Sequence, residues 1–211
     1  MSYSSILSWT LIIGVTMVST TMLMFLAQFF AMLQLSSKYY DVSISSILLF
    51  AESFNIFHIF LTPFLFRPME NHLTKFIMGS ALMMGLGLVI RTAGYNNYTI
   101  ALLGSLLVSL SHIPIIAAPY GLLKLFKPEH RGYAASFPLF VPTIGINFSI
   151  FYTMTWINEV QGEEAQFRMI ERLSWIITMV GVVSMMVTVL LVYMLEDVIL
   201  HSRREGNKEE K

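Results

Sequence analysis

Glu52, Asn55 and His58 stand at three-residue intervals inside one apolar run, Ile44–Phe66. On a helix that spacing puts the carboxylate, the amide and the imidazole on one face. Turned toward a helix bundle, such a stripe offers a site for a proton or a small cation. Its plainer use is an interhelical hydrogen-bond clamp, with Ser45, Ser46 and Ser53 filling the close contacts. His112, inside a later run, carries the same two readings: a substrate-facing polar group, or a core histidine with its hydrogen bonds satisfied. Gln28 in the first run is a third candidate, and Asn147 in the fifth adds another amide to the list. These residues matter because a polar group in hydrocarbon costs free energy unless it finds a partner.

Other chemistry is excluded by what the chain lacks. There is no cysteine, so no disulfide framework and no thiolate metal site. The five histidines are not set at metal-ligand spacing, and neither a glycine-rich phosphate loop nor a nucleophile elbow occurs. Neither enzyme activity, nor a cofactor, nor a metal is expected. A net charge of zero gives no argument for nucleic acid. The sequon Asn97-Tyr98-Thr99 falls close to the end of an apolar run, and Asn147-Phe148-Ser149 falls inside one, so neither carries weight. The chain is 55% hydrophobic and 12% charged. Soluble domains carry about 25% charged residues, which places this chain in the membrane class.

Six apolar runs must position the polar residues. They span approximately 6–33, 44–66, 73–93, 100–123, 133–157 and 173–195, and a bilayer core of roughly 30 Å needs about 20 residues. The expected fold is therefore an all-α membrane domain of six transmembrane helices over residues 1–198, with a polar, solvated tail over 199–211. The first run is too long for a cleavable leader and has no basic start. Pro114 and Pro119 in the fourth run, and Pro138 and Pro142 in the fifth, would break helices in water. In a bilayer, neighbouring helices take up the freed carbonyls, so two bent helices are expected there. Met179, Met185 and Met186 suit packing or lipid contact. The acidic connection Asn158–Arg172 has helical spacing and is expected to form a short surface helix with local charge pairs.

Lysine and arginine in short loops set orientation. One side collects Arg67, Lys75, Lys124, Lys127, Arg131, Arg203, Arg204, Lys208 and Lys211; the other collects Lys38, Arg91, Arg168 and Arg172. Nine against four puts both termini on the cytoplasmic side, or on the matrix side of a mitochondrial inner membrane.

With the fourth and fifth runs in view, the chain resembles the amino-terminal half of the major facilitator superfamily. Within it, the likeness is to the heme and choline transporter group named after the feline leukaemia virus subgroup C receptor. The matching residues are Ser111-His112-Ile113-Pro114 through Pro119, the charged turn Lys124–Arg131, and Pro142-Thr143-Ile144-Gly145 where that group has Asn-x-x-Gly. Upstream, Lys38-Tyr39-Tyr40-Asp41-Val42 is similar to Phe-Tyr-Gly-Val, and Gly85 to Arg91 is similar to Gly-x-Trp-Ile-Arg. The resemblance spans roughly residues 28–151 and implies half of a major-facilitator bundle. Departures are equally specific. Phe66 and Pro68 replace an aspartate and an arginine of the loop that latches the two halves during switching. His112 stands where the group has a glutamine, and its late first-helix tryptophan is missing.

In that superfamily a second six-helix half follows, and transport is one half rocking against the other. A chain ending at Lys211 is then expected to pair with itself, pair with another subunit, or pack into a larger assembly, unless its reading frame continues. Two functions follow. One is a transporter-derived, non-catalytic accessory subunit of a large membrane complex, with a mitochondrial respiratory assembly as one setting. The other is a homodimerising half-transporter of a small organic cation or amphiphile, with Gln28, Glu52, Asn55, His58, His112 and Asn147 along the path. The partners expected are the bilayer and other membrane subunits or a second copy.

Overall fold

A computed structural model describes residues 3–94 and 96–209. Seven α-helices follow one another: α1 Tyr3–Ala31, α2 Leu33–Tyr40, α3 Ile44–Asn71, α4 Leu73–Ala93, α5 Tyr98–Leu122, α6 Pro128–Asn158 and α7 Glu163–Glu209. A single 3₁₀ turn, Leu123–Leu125, follows α5. All but α2 are long and apolar enough to cross a membrane. The described residues thus form an all-α, multi-pass membrane protein whose apolar helices meet a lipid bilayer.

The helix starts have local causes. The Ser43 hydroxyl accepts the Ser46 amide at the head of α3, and the Asn97 side chain accepts the Ile100 amide at the head of α5. Asn97, the first sequon position, is thereby a helix cap. Pro128 sits in the first turn of α6, where its missing N–H costs nothing. Glu163 and Glu164 open α7, where their charge favours the helix dipole.

Three boundaries differ from the expectation. The first run divides at Met32, whose backbone (φ −134°, ψ 28°) leaves the helical region, so residues 33–40 form the separate α2. Met32 packs with Ile157, Ile170 and Leu173, a tertiary contact that no local pattern announces. The segment from Phe66 to Lys75 is not an extended loop. Helix α3 runs through Pro63 and Pro68 to Asn71, and His72 alone separates it from α4. Finally, residues 163–172 do not form a separate surface helix but the first turns of α7, entered through Gly162 at φ +93°. The expected local pair is present there, Arg168 to Glu164 at 3.0 Å. The backbone of the segment read as a tail continues α7 to Glu209; the side chains of residues 197–211 lie outside the described set.

Helix α1 is the centre of the bundle. Leu11, Ile12, Val15, Val18, Met22 and Phe25 are fully buried along it, and it packs against α5, α6 and α7. Helix α4 lies between α5 and α7, while α3 leans mainly on α5. Side-chain bonds tie each end together: Ser8 to the Leu125 carbonyl and Thr74 to Glu196 at one end, Tyr98 to the Ser46 carbonyl and Tyr39 to Glu171 at the other. Lys38 and Glu163 pair at that second end. Short connections do not make every successive pair of long helices packed neighbours: α4 lies along α5, while α1 packs on α6 and α7, and α3 on α5.

Candidate functional site

The polar centre of the bundle is a histidine pair that joins α3 to α5. His58 Nε2 lies 3.1 Å from His112 Nδ1, and His112 Nε2 lies 3.4 Å from the Ser19 hydroxyl of α1. Helical geometry places the pair. Phe54 and His58 are one turn apart on α3, and the Phe54 ring sits 4.6 Å from the His58 ring and 4.5 Å from that of His112. One turn before, the Ser53 hydroxyl meets the Ser109 hydroxyl at 2.9 Å and fixes the register of the two helices. Small residues on α5 permit this approach; Ser105, Ser109 and Ser111 are all buried.

A neutral imidazole donates from one nitrogen and accepts at the other. If His58 donates, His112 accepts at Nδ1 and gives its own proton to Ser19. If His112 donates at Nδ1, it accepts from Ser19. The chain Ser19–His112–His58 therefore has two tautomeric settings that differ by the direction of every bond. Such an arrangement can pass a proton or simply clamp three helices.

The other sequence candidates do not join this centre as one path. Gln28 is fully buried, but on the α1–α7 side, where its amide nitrogen reaches the Ser174 hydroxyl at 3.4 Å and its carbonyl oxygen has no partner among the described residues. The stripe on α3 turns the other way from the expectation. Glu52 and Asn55 are exposed on the surface of the chain, and only His58 is half-buried. The reason is that α3 offers its serine and phenylalanine face, Phe50, Ser53 and Phe54, to the bundle. Glu52 keeps a weak contact from Asn55, 3.5 Å. Asn147 is likewise exposed, its amide bonded to the Thr143 carbonyl of its own helix at 2.8 Å. Pro114, Pro119 and Pro142 are buried and Pro138 is half-buried, all within continuous helices.

Arg91 is the residue that charge counting misplaces. Expected among the loop charges, it is 2% exposed within the bundle. Its guanidinium lies over three rings, 4.0 Å from the centre of Phe25, 3.7 Å from Phe29 and 4.8 Å from Phe50. None of its three side-chain nitrogens has a hydrogen-bond partner among the described residues. The cation is held by ring faces instead. That leaves Lys38, Arg168 and Arg172 as the basic residues of that end. Beside Arg91, burial pushes the Tyr40 phenol above its usual value, an effect the nearby guanidinium opposes and the Glu171 carboxylate slightly reinforces. The signal for this box was present as Phe25, Phe29 and Phe50 on two apolar runs, but nothing local links them to Arg91.

No family model, curated protein or solved structure matches the chain.

Proposed function

We propose that this chain is a transporter-derived, non-catalytic accessory subunit of a large membrane protein complex, built on half of a major-facilitator-type bundle. The observation that carries the reading is the exposure of Glu52. It lies eight residues inside the span Ile44–Leu65, a depth of about 12 Å at 1.5 Å per residue. An acidic side chain at the centre of a transmembrane helix costs about 2.5–3.5 kcal/mol on insertion scales. A surface supplied by another protein removes that cost by giving the carboxylate donors. The α3 and α6 spans are the least buried, at 17% and 22% against 67% for α1, and both carry a polar residue on their open side.

Local geometry supports the resemblance. Asp41 has φ +52° at the position where the transporter group has glycine. A methyl at Gly145 would lie 2.5 Å from Thr20 Cγ2, a close α1–α6 approach at the glycine of the Asn-x-x-Gly pattern. The latch residues are absent from a connection that shrinks to one non-helical residue, which fits a bundle that no longer switches. The basic side is assigned to the cytoplasm or matrix, and a respiratory assembly of the mitochondrial inner membrane remains one setting.

The Ser19–His112–His58 chain favours the second reading, a homodimerising half-transporter of a small organic cation or amphiphile. One experiment separates the two. Membranes are solubilised in mild detergent and the protein is followed on a native gel, in the natural chain and in Glu52→Leu. Migration within one large assembly, with release of a free pool by Glu52→Leu, is the expected result. A particle of about twice the chain mass, with uptake lost in His112→Ala, would replace the subunit reading by the transporter.

A further inference from the structure

A groove of about 390 Å³ runs between the end of α3 and the first half of α4, floored by α5. Its volume lies within the roughly 300–1,000 Å³ of small-ligand pockets. Leu65, Phe76, Met83, Leu110 and Pro114 make its walls apolar. The Ser111 hydroxyl beside them is spent on the Val108 carbonyl at 2.7 Å, so it asks nothing of an occupant. Apart from Ser80 and Ser111 in its lining, the groove is polar at its mouth. Lys75, exposed in the first turn of α4, stands there, and among the described residues no carboxylate pairs with it. Arg67, near the end of α3, and His72, between α3 and α4, are exposed as well.

The axial order decides what fits. Leu65 is the last residue of the apolar span of α3, and Lys75 is the third residue of the span Leu73–Ala93. From Lys75 to Met83 the wall descends eight residues along α4, about 12 Å. A cation at the headgroup level above an apolar trough of that depth is complementary to a phosphate carrying an acyl chain. Basic pockets between transmembrane helices hold anionic headgroups in this manner. We propose that the groove binds one anionic phospholipid, its phosphate on the Lys75 ammonium and one acyl chain lying along α4.

Gly79 makes the test clean. A Cβ added there would meet nothing within 4 Å, so Gly79→Phe grows from an open position into the trough. The purified full chain, in mild detergent, is mixed with equal amounts of phosphatidylglycerol and phosphatidylcholine of the same acyl chains. Native mass spectrometry then reads the bound lipids. The expected result is a preference for phosphatidylglycerol of about fivefold, from one lysine near the surface. Lys75→Gln removes the preference, and Gly79→Phe removes most of the lipid of both kinds. Equal retention of both lipids by the natural chain, or a preference that survives Lys75→Gln, would overturn the headgroup assignment. Unchanged lipid retention in Gly79→Phe would overturn the acyl-chain site, as would a protein neighbour found in the groove. Inorganic phosphate added in excess leaves the lipid bound if the chain contributes as proposed; displacement by phosphate alone would mean a simple anion site.

Discussion

Arg91 sets the problem of a buried charge with only the Tyr40 phenol as a polar neighbour among the described residues. Its guanidinium is flanked by Phe25, Phe29 and Phe50, and its nitrogens find no hydrogen bond among the described residues. A desolvated cation–π contact is worth about 2 kcal/mol, whereas a buried unsatisfied donor costs about 1–3 kcal/mol. The rings therefore offset the cost without exceeding it, and shape becomes the larger contribution. Replacing a buried charge by an apolar side chain of similar length is often neutral or better. Arg91→Met is expected to stay within about 1 kcal/mol of the natural chain. Arg91→Ala opens a cavity between three rings and is expected to lose about 2–4 kcal/mol. Unfolding in mixed micelles, followed by tryptophan fluorescence, measures both. An equally large loss in both variants would mean that the charge itself, and not the filled volume, holds the site. Sequence reading missed this box because a basic residue near a helix end is normally solvated. It missed the His58–His112 bond for a different reason: two residues 54 apart in the chain share no local pattern, and only the Ser53–Ser109 register brings them together.

At the scale of elements, glycine placement separates tight crossings from open surfaces. A methyl at Gly104 would stand 2.5 Å from the Arg91 amide nitrogen and 2.6 Å from the Gly87 carbonyl oxygen. Both are backbone atoms that cannot swing aside, so α4 and α5 must move apart. Gly79, on the same α4, meets nothing. Alanine in a helix gains about 0.5–1 kcal/mol over glycine when space allows. Gly79→Ala is therefore expected to stabilise the fold by about that amount. Gly104→Ala is expected to destabilise it by about 1–3 kcal/mol, the usual cost of overpacking, and to loosen the Arg91 box. Thermal melting in detergent ranks the two, and the reverse order would refute the close crossing. The elements themselves were largely legible. Apolar length alone placed six spans, and α4 begins and ends where its run does, Leu73–Ala93. What stayed illegible was continuity. Pro68 falls in the segment read as a connection, yet α3 passes through it as it does through Pro63, since helix is the way to satisfy most backbone groups at a bilayer. The same rule carries α7 upstream through the acidic segment, whose charges suit a helix start as well as a loop.

For the whole molecule, the unequal exposure of its spans argues for an asymmetric environment. Exposed leucines and valines on α4 and α7, such as Leu86 and Val183, suit lipid tails and need no protein. The open side of α3 combines Ile56, Ile59, Phe60 and Phe64 with Glu52 and Asn55. That of α6 combines Phe140, Ile144, Phe148 and Phe151 with Asn147. Aromatic rims around membrane-depth amides and a carboxylate resemble the core of a protein contact more than a lipid face, because lipid offers no hydrogen bond. A photoreactive benzophenone side chain placed at Phe60 or Phe148 in the native membrane is thus expected to give protein adducts of discrete mass. The same group at Leu86 or Val183 is expected to give lipid adducts only. The four positions are similarly exposed, so reactivity alone does not separate them. Protein adducts whose mass equals two chains would make the contact a self-association and favour transport. Adducts with other subunits would favour the accessory role. Lipid adducts at all four sites would mean that Glu52 faces hydrocarbon unaided, and the accessory-subunit reading would lose its main support.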